Sequence, residues 1–147
     1  MKRMMWVLPA LVCVALLTAA CKKAADGPAA AGALRVTELD LGRSLAADKG
    51  IADKTTDFRP SDTIYLSVET DGASAAATLA TRWTYQDGQL VQEQSQNIAP
   101  TAKARTEFHI AKPDGWPAGK YTVAVLLNGT AAGSKDFEVK KANTVRI

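Results

Sequence analysis

The residues able to do chemistry in this chain are few and scattered. There is one histidine, His109, and it follows Arg105 and Glu107 at two-residue spacing. In an extended strand the three share a face, and a His–Glu pair on one face is the raw material of a general base. The same alternation equally describes a solvent-facing strand surface, which is the expectation for these three. No serine stands in a Gly-x-Ser-x-Gly context. A zinc site needs several His or Cys ligands, and the whole chain has one His and two Cys. Asp48, Asp53, Asp57 and Asp62 fall four or five apart in the irregular stretch 43–62. Calcium loops space their acidic ligands at alternate positions and turn at a glycine. Lys49 and Lys54 interleave these aspartates, so a solvated, self-neutralised loop is expected, long enough to stay a candidate contact region. The expectation is a non-enzymatic chain with no catalytic residue, cofactor or metal site.

Contact chemistry is a separate question. Trp116 lies in a corner framed by Pro113, Gly115, Pro117 and Gly119. An exposed indole there would anchor a protein or glycan partner, with Asp114 beside it and Arg82, on the polar phase of its own strand, as further candidates. An indole folded inward would instead plug the end of a sandwich, and Pro117 and Gly119 ahead of Tyr121 suit that structural corner.

The elements that position these residues read as strands. From Leu34 onward the apolar period is two. Ile64, Leu66 and Val68 share a face; so do Leu79, Thr81, Trp83 and Tyr85, with Thr78, Arg82 and Thr84 opposite. Thr106, Phe108 and Ile110 are in phase, as are Tyr121, Val123, Val125 and Leu127, and Phe137 with Val139. Gln86-Asp87-Gly88 predicts a hairpin, Pro100 a strand end, and Asn128-Gly129 the last turn. Residues 34–41 predict a first strand, with a phase slip between Val36 and Leu39 that predicts a bulge. Asn128-Gly129-Thr130 also fits a glycosylation acceptor pattern, but the turn is the expected role.

Seven short strands over about a hundred residues, Trp83 on the third and Tyr121 opening the penultimate one, resemble an immunoglobulin-like β-sandwich. The resemblance covers residues 34 to about 140. It implies an all-β, antiparallel sandwich, a buried Trp83 and a tyrosine corner at Tyr121. The inter-sheet cysteine pair is absent, so the likeness is to fibronectin-type or bacterial Ig-like domains. A small open barrel has the same periodicity.

The N-terminus gives an address. Met1-Lys2-Arg3 is basic, residues 4–17 carry no charge, and Leu17-Thr18-Ala19-Ala20 precedes Cys21. A basic start, an apolar run and a small-residue cleavage site predict an export signal, and the apolar run falls short of the roughly 20 residues that span a bilayer. The segment resembles the lipobox of bacterial lipoproteins, with its leucine one place early. That resemblance implies cleavage before Cys21, a diacylglyceryl group on its thiol and an acylated new N-terminus. Lys22 in place of an aspartate implies the outer membrane, with the domain facing the periplasm. Cleavage by an ordinary signal peptidase would instead leave Cys21 as a free thiol.

The organisation expected is a signal peptide at 1–20, a lipidated Cys21 and Ala/Gly/Pro-rich tether at 21–33, a sandwich at 34–141 and a tail at 142–147. As a flexible coil the tether spans roughly 20 Å. The formal charge of +3 becomes +1 once Lys2 and Arg3 leave with the signal. With no basic cluster, nucleic acid is not an expected partner. The expected partners are the membrane, through the lipid, and an envelope protein or glycan. The function implied is an envelope-anchored binding module, or alternatively a periplasmic inhibitor or chaperone-like accessory of an envelope enzyme.

Overall fold

A computed structural model describes residues 33–142. The signal peptide, Cys21, nearly all of the tether and the tail from 143 lie outside the described residues.

The described chain is all-β. Its strands are β1 (Arg35–Gly42), β2 (Asp57–Phe58), β3 (Ile64–Asp71), β4 (Ala77–Tyr85), β5 (Leu90–Ile98), β6 (Ala104–Ile110), β7 (Gly119–Leu127) and β8 (Thr130–Val139). They form a three-stranded sheet, β1-β3-β6, and a five-stranded sheet, β2-β8-β7-β4-β5. This is an Ig-like β-sandwich with eight strands where the periodicity predicts seven. The extra strand is β2, too short to show alternation, and it pairs with β8 in parallel while every other pairing is antiparallel.

The period-two sets become the facing layers. Ile64, Leu66, Val68, Phe108 and Ile110 from the smaller sheet meet Leu79, Trp83, Tyr121, Val123, Val125, Phe137 and Val139 from the larger. The predicted bulge is present, as a register shift between Val36 and Glu38 on β1. The Gln86-Asp87-Gly88 hairpin closes with Tyr85 N donating to Gln89 O at 2.8 Å and Gly88 N to Tyr85 O at 2.7 Å. Asn128 and Gly129 both take positive φ, 52° and 81°, the hairpin geometry that favours this dipeptide. Asn128 Oδ1 also accepts from Thr78 N at 2.9 Å, so its side chain works within the turn.

The stretch 43–62 is not the solvated loop expected. It folds as a small flap, with isolated bridges Gly42↔Lys54 and Leu45↔Ile51 and then β2. Ile51 and Phe58 are buried. A Cβ on Gly42 would lie 2.1 Å from Asp53 O and 2.2 Å from Ile51 Cγ2, so only glycine lets the flap fold back there. Its charges pair differently from expectation as well. Lys54 pairs with Asp40 and Glu38 on β1, while Asp48 meets Arg105, Asp53 and Asp62 meet Arg43, and Asp57 meets Lys140. Apolar Ile51 and Phe58 drive the packing, and long-range cations, invisible to local spacing, neutralise the aspartates.

Candidate interaction surface

The tyrosine corner fixes one end of the sandwich. Tyr121 Oη donates to Pro117 O at 2.7 Å, four residues upstream, and Tyr85 Oη donates to Ala118 O at 2.8 Å. Trp116 packs edge-on against Tyr121 with ring centroids 5.9 Å apart, and its Nε1 donates to Asp62 O at 2.9 Å. Only 4% of Trp116 is exposed. Its geometry is that of the inward plug, and it offers a partner no open indole face. The gain from burying the ring, a few kcal/mol, and a partner for its N–H both favour that position. Asp114 is exposed at the same corner. Arg82 is exposed on the outer face of the five-stranded sheet, in register with Glu93 and Ala124. The structure therefore does not bring Trp116, Asp114 and Arg82 into one patch.

His109 stands on the outer face of β6, its Nδ1 3.1 Å from Glu107 Oε2 and its ring 5.5 Å from that of its cross-strand partner Tyr65. More than half of its side chain is exposed. Arg105, the third member of the set, turns to Glu69 and Asp48 instead. Glu69 is only 8% exposed. It accepts from Thr37 Oγ1 at 3.1 Å and faces Lys103 Nζ and Arg105 at 3.0 Å each. The Lys103 hydrogen bond, against the opposing effect of burial and aided by Thr37 and Arg105, holds its carboxyl below the ordinary value. This network buttons the flap to the smaller sheet. Among the described residues no group of three His, Cys, Asp or Glu could hold a metal ion.

The strand edges define what remains open. On β1 the edge is bulged and charged, with Glu38 and Asp40 bound by Lys54. On β2 it is two residues long. On β6 it is closed by side chains from the other sheet: Gln94 Nε2 donates to His109 O at 3.0 Å and Gln96 Nε2 to Glu107 O at 2.7 Å. Gln94 Oε1 is buried without a partner, the one such side-chain atom among the described residues. These glutamines occupy the inward phase of β5, opposite Thr81 and Leu79. Gln92, Gln94 and Gln96 recur at period two in the sequence, a signal that a polar stripe faces the seam between layers. Sequence reading missed it because polar residues at period two normally face water.

The β5 edge is nine residues long, with a bulge at Val91 near its start, and its outer side is unpaired. It carries one charge, Glu93, no Lys, Arg or Pro, and the one exposed large hydrophobic of the described residues, Leu90 at 46%. Natural edges are blunted by charge, proline, bulges or a covering element, and from Gln92 to Ile98 this one has only Glu93. On the other side of β4 from this edge, a shallow hollow of about 660 Å³ opens across β2, β4, β7 and β8, lined among others by Asp57, Tyr85, Lys120, Asp136 and Glu138.

No protein-family model matches the chain, and neither does any curated protein. Solved structures do. The chain is similar to the C-terminal domain of wzt, with 10% identity and a TM-score of 0.51 over 79% of this chain and 77% of that one. It also aligns with an immunoglobulin-like protein from Pseudomonas aeruginosa, at 14% identity and a TM-score of 0.49 over 76% of this chain and 99% of that one. A third alignment is to the alkylpurine DNA glycosylase AlkC of Pseudomonas fluorescens bound to DNA with an abasic site analog, at 17% identity and a TM-score of 0.48 over 74% of this chain. This chain spans only 31% of the glycosylase's length. At such identities the likeness concerns the fold alone. Strand order, buried tryptophan and tyrosine corner together define the class, an immunoglobulin-like β-sandwich.

Proposed function

We propose that this chain is a non-enzymatic binding module of the bacterial envelope, tethered by a lipid on Cys21 and working through the outer face and edge of its five-stranded sheet. The observation that carries the binding half is the β5 edge, long and nearly uncharged on a sandwich whose other edges are short, charged or capped. Such an edge offers backbone hydrogen bonds for affinity and alternating side chains for specificity. The anchoring half rests on the Leu17-Thr18-Ala19-Ala20-Cys21 sequence, twelve tether residues ahead of Leu34. A protein or glycan of the envelope is the partner class this address supplies. An inhibitor that inserts the Trp116 corner or the 43–62 segment into an enzyme cleft has less support, since both are packed down.

Cell fractionation tests the anchoring. The full chain should sediment with the outer membrane and incorporate labelled fatty acid, and Cys21→Ser should move it to the soluble periplasmic fraction without label. Unlabelled wild-type chain in the soluble fraction would overturn the anchor.

A further inference from the structure

We propose that the β5 edge is the docking surface for a second copy of this chain, paired antiparallel about Gln94 to make one continuous ten-stranded sheet. The proposal deepens the binding reading above by naming the occupant of the edge, and it does not depend on the lipid.

The free backbone groups come first. Thr78 O accepts from Asn128 N on the β7 side, while Tyr85 N donates to Gln89 O on the β5 side. Even-numbered residues of β4 therefore bond toward β7 and odd-numbered ones toward β5. Thr81, Leu79 and Ala77 are odd, so their partners Gln94, Gln96 and Ile98 spend their backbone groups on β4. Glu93, Ser95 and Asn97 then direct N–H and C=O at the open edge.

The centre of the edge is nearly its own reverse. Its regular stretch beyond the bulge at Val91, Gln92-Glu93-Gln94-Ser95-Gln96, folded about Gln94, sets Gln92 on Gln96 and Gln94 on itself. A two-fold contact requires one patch complementary to itself, and this strand is. The register that centres on Gln94 makes Glu93↔Ser95 and Ser95↔Glu93 hydrogen-bonded pairs, which uses the outward groups just identified. It also keeps the charge apart: the one carboxylate of the edge, Glu93, faces a serine across the join and Arg82 on its own sheet. The adjacent edge of the smaller sheet cannot compete for the same strand, because Gln94 and Gln96 already occupy its carbonyls.

Sedimentation of the full chain in mild detergent, with and without Cys21→Ser, tests the pairing and separates it from the anchor. Dimers should form in both forms, and dimers lost with Cys21→Ser would mean that the anchor and not the edge holds the copies together. Ser95→Glu sets like charges directly opposite each other twice and should weaken the dimer roughly threefold to tenfold, and Ser95→Lys should strengthen it by a similar factor. Gln94→Cys should give a disulfide-linked dimer under mild oxidation, since a non-hydrogen-bonded pair brings Cβ atoms to about 4.5–5.5 Å. Gln92→Cys, off the two-fold axis, should not. A monomer at about 100 µM, far above the micromolar affinities that interfaces of modest size reach, would overturn the proposal. So would dimers indifferent to both Ser95 substitutions, or capture of a different envelope protein on this edge by wild-type monomer.

Discussion

Tyr121 ties the most together. Its ring stacks on Phe137 at 5.2 Å between centroids, lies 4.8 Å from Tyr85, and receives the edge of Trp116. Its hydroxyl closes the corner on Pro117 O. Tyr121→Phe keeps the packing and removes that bond, so it should cost about 1 kcal/mol in urea titrations at neutral pH. Burial, with Tyr85 as a smaller contributor, pushes the Tyr121 phenol up to about 12. In the unfolded chain it titrates near about 10. The folded state thus holds its proton to higher pH. That contribution is complete below about pH 10 and is lost as pH rises toward the folded value. Wild type should lose stability across this alkaline window more steeply than Tyr121→Phe, and parallel pH profiles of the two would contradict the assignment. The tyrosine was legible in the sequence because its strand phase and the Pro-Gly corner before it are local. The partner of the Trp116 indole, Asp62 O, lies 54 residues away, and no local pattern announces it.

Among the elements, the flap and β2 show what tertiary packing adds. Asp62 organises their return to the core. Its Oδ2 accepts from Arg43 Nε at 2.9 Å and Arg59 N at 2.8 Å. Burial pushes the Asp62 carboxyl up, but the Arg59 N–H and then the hydrogen bond and charge of Arg43 outweigh it and hold the group below its ordinary value. The stabilisation is present above about pH 4 and lost as pH falls through the depressed folded value. Asp62→Ala should cost about 1–3 kcal/mol in denaturant titrations at pH 7, with the gap from wild type narrowing in acid. Long strands were legible here because each buries one face, as β4 and β7 do. β2 was not, since two residues hold no period. The β5–β6 seam was not legible either: the pattern that marks a solvent face also describes glutamines that cap a neighbouring strand.

At the scale of the molecule, two layers close over one aromatic-rich core. Trp83 is fully buried at its centre, edge-on to Phe137 at 5.9 Å, with Nε1 donating to Thr81 Oγ1 at 3.1 Å. Both cysteines of the chain precede the described residues, so no disulfide reinforces this core. Trp83→Ala should therefore cost about 3–5 kcal/mol, enough to consume much of the 5–15 kcal/mol of a typical domain. A loss under about 1 kcal/mol would contradict this core. The layered architecture was readable in advance, as were its two hallmark aromatics. Which surface meets a partner was not, because contact surfaces are chosen by what the fold leaves open. Of the three residues singled out by type, Trp116 is packed inside and Arg82 stands on a different face from the Asp114 corner. The open edge became visible only once the strand order was known.

The proposed address of this sandwich rests on the thiol of Cys21. Tandem mass spectrometry of the N-terminal peptide from chain extracted out of bacterial membranes reads that chemistry directly. The account predicts a peptide beginning at Cys21, with diacylglyceryl on sulfur and an acylated amino group. A peptide that begins at Cys21 with an unmodified thiol, or one that still begins at Met1, would contradict it.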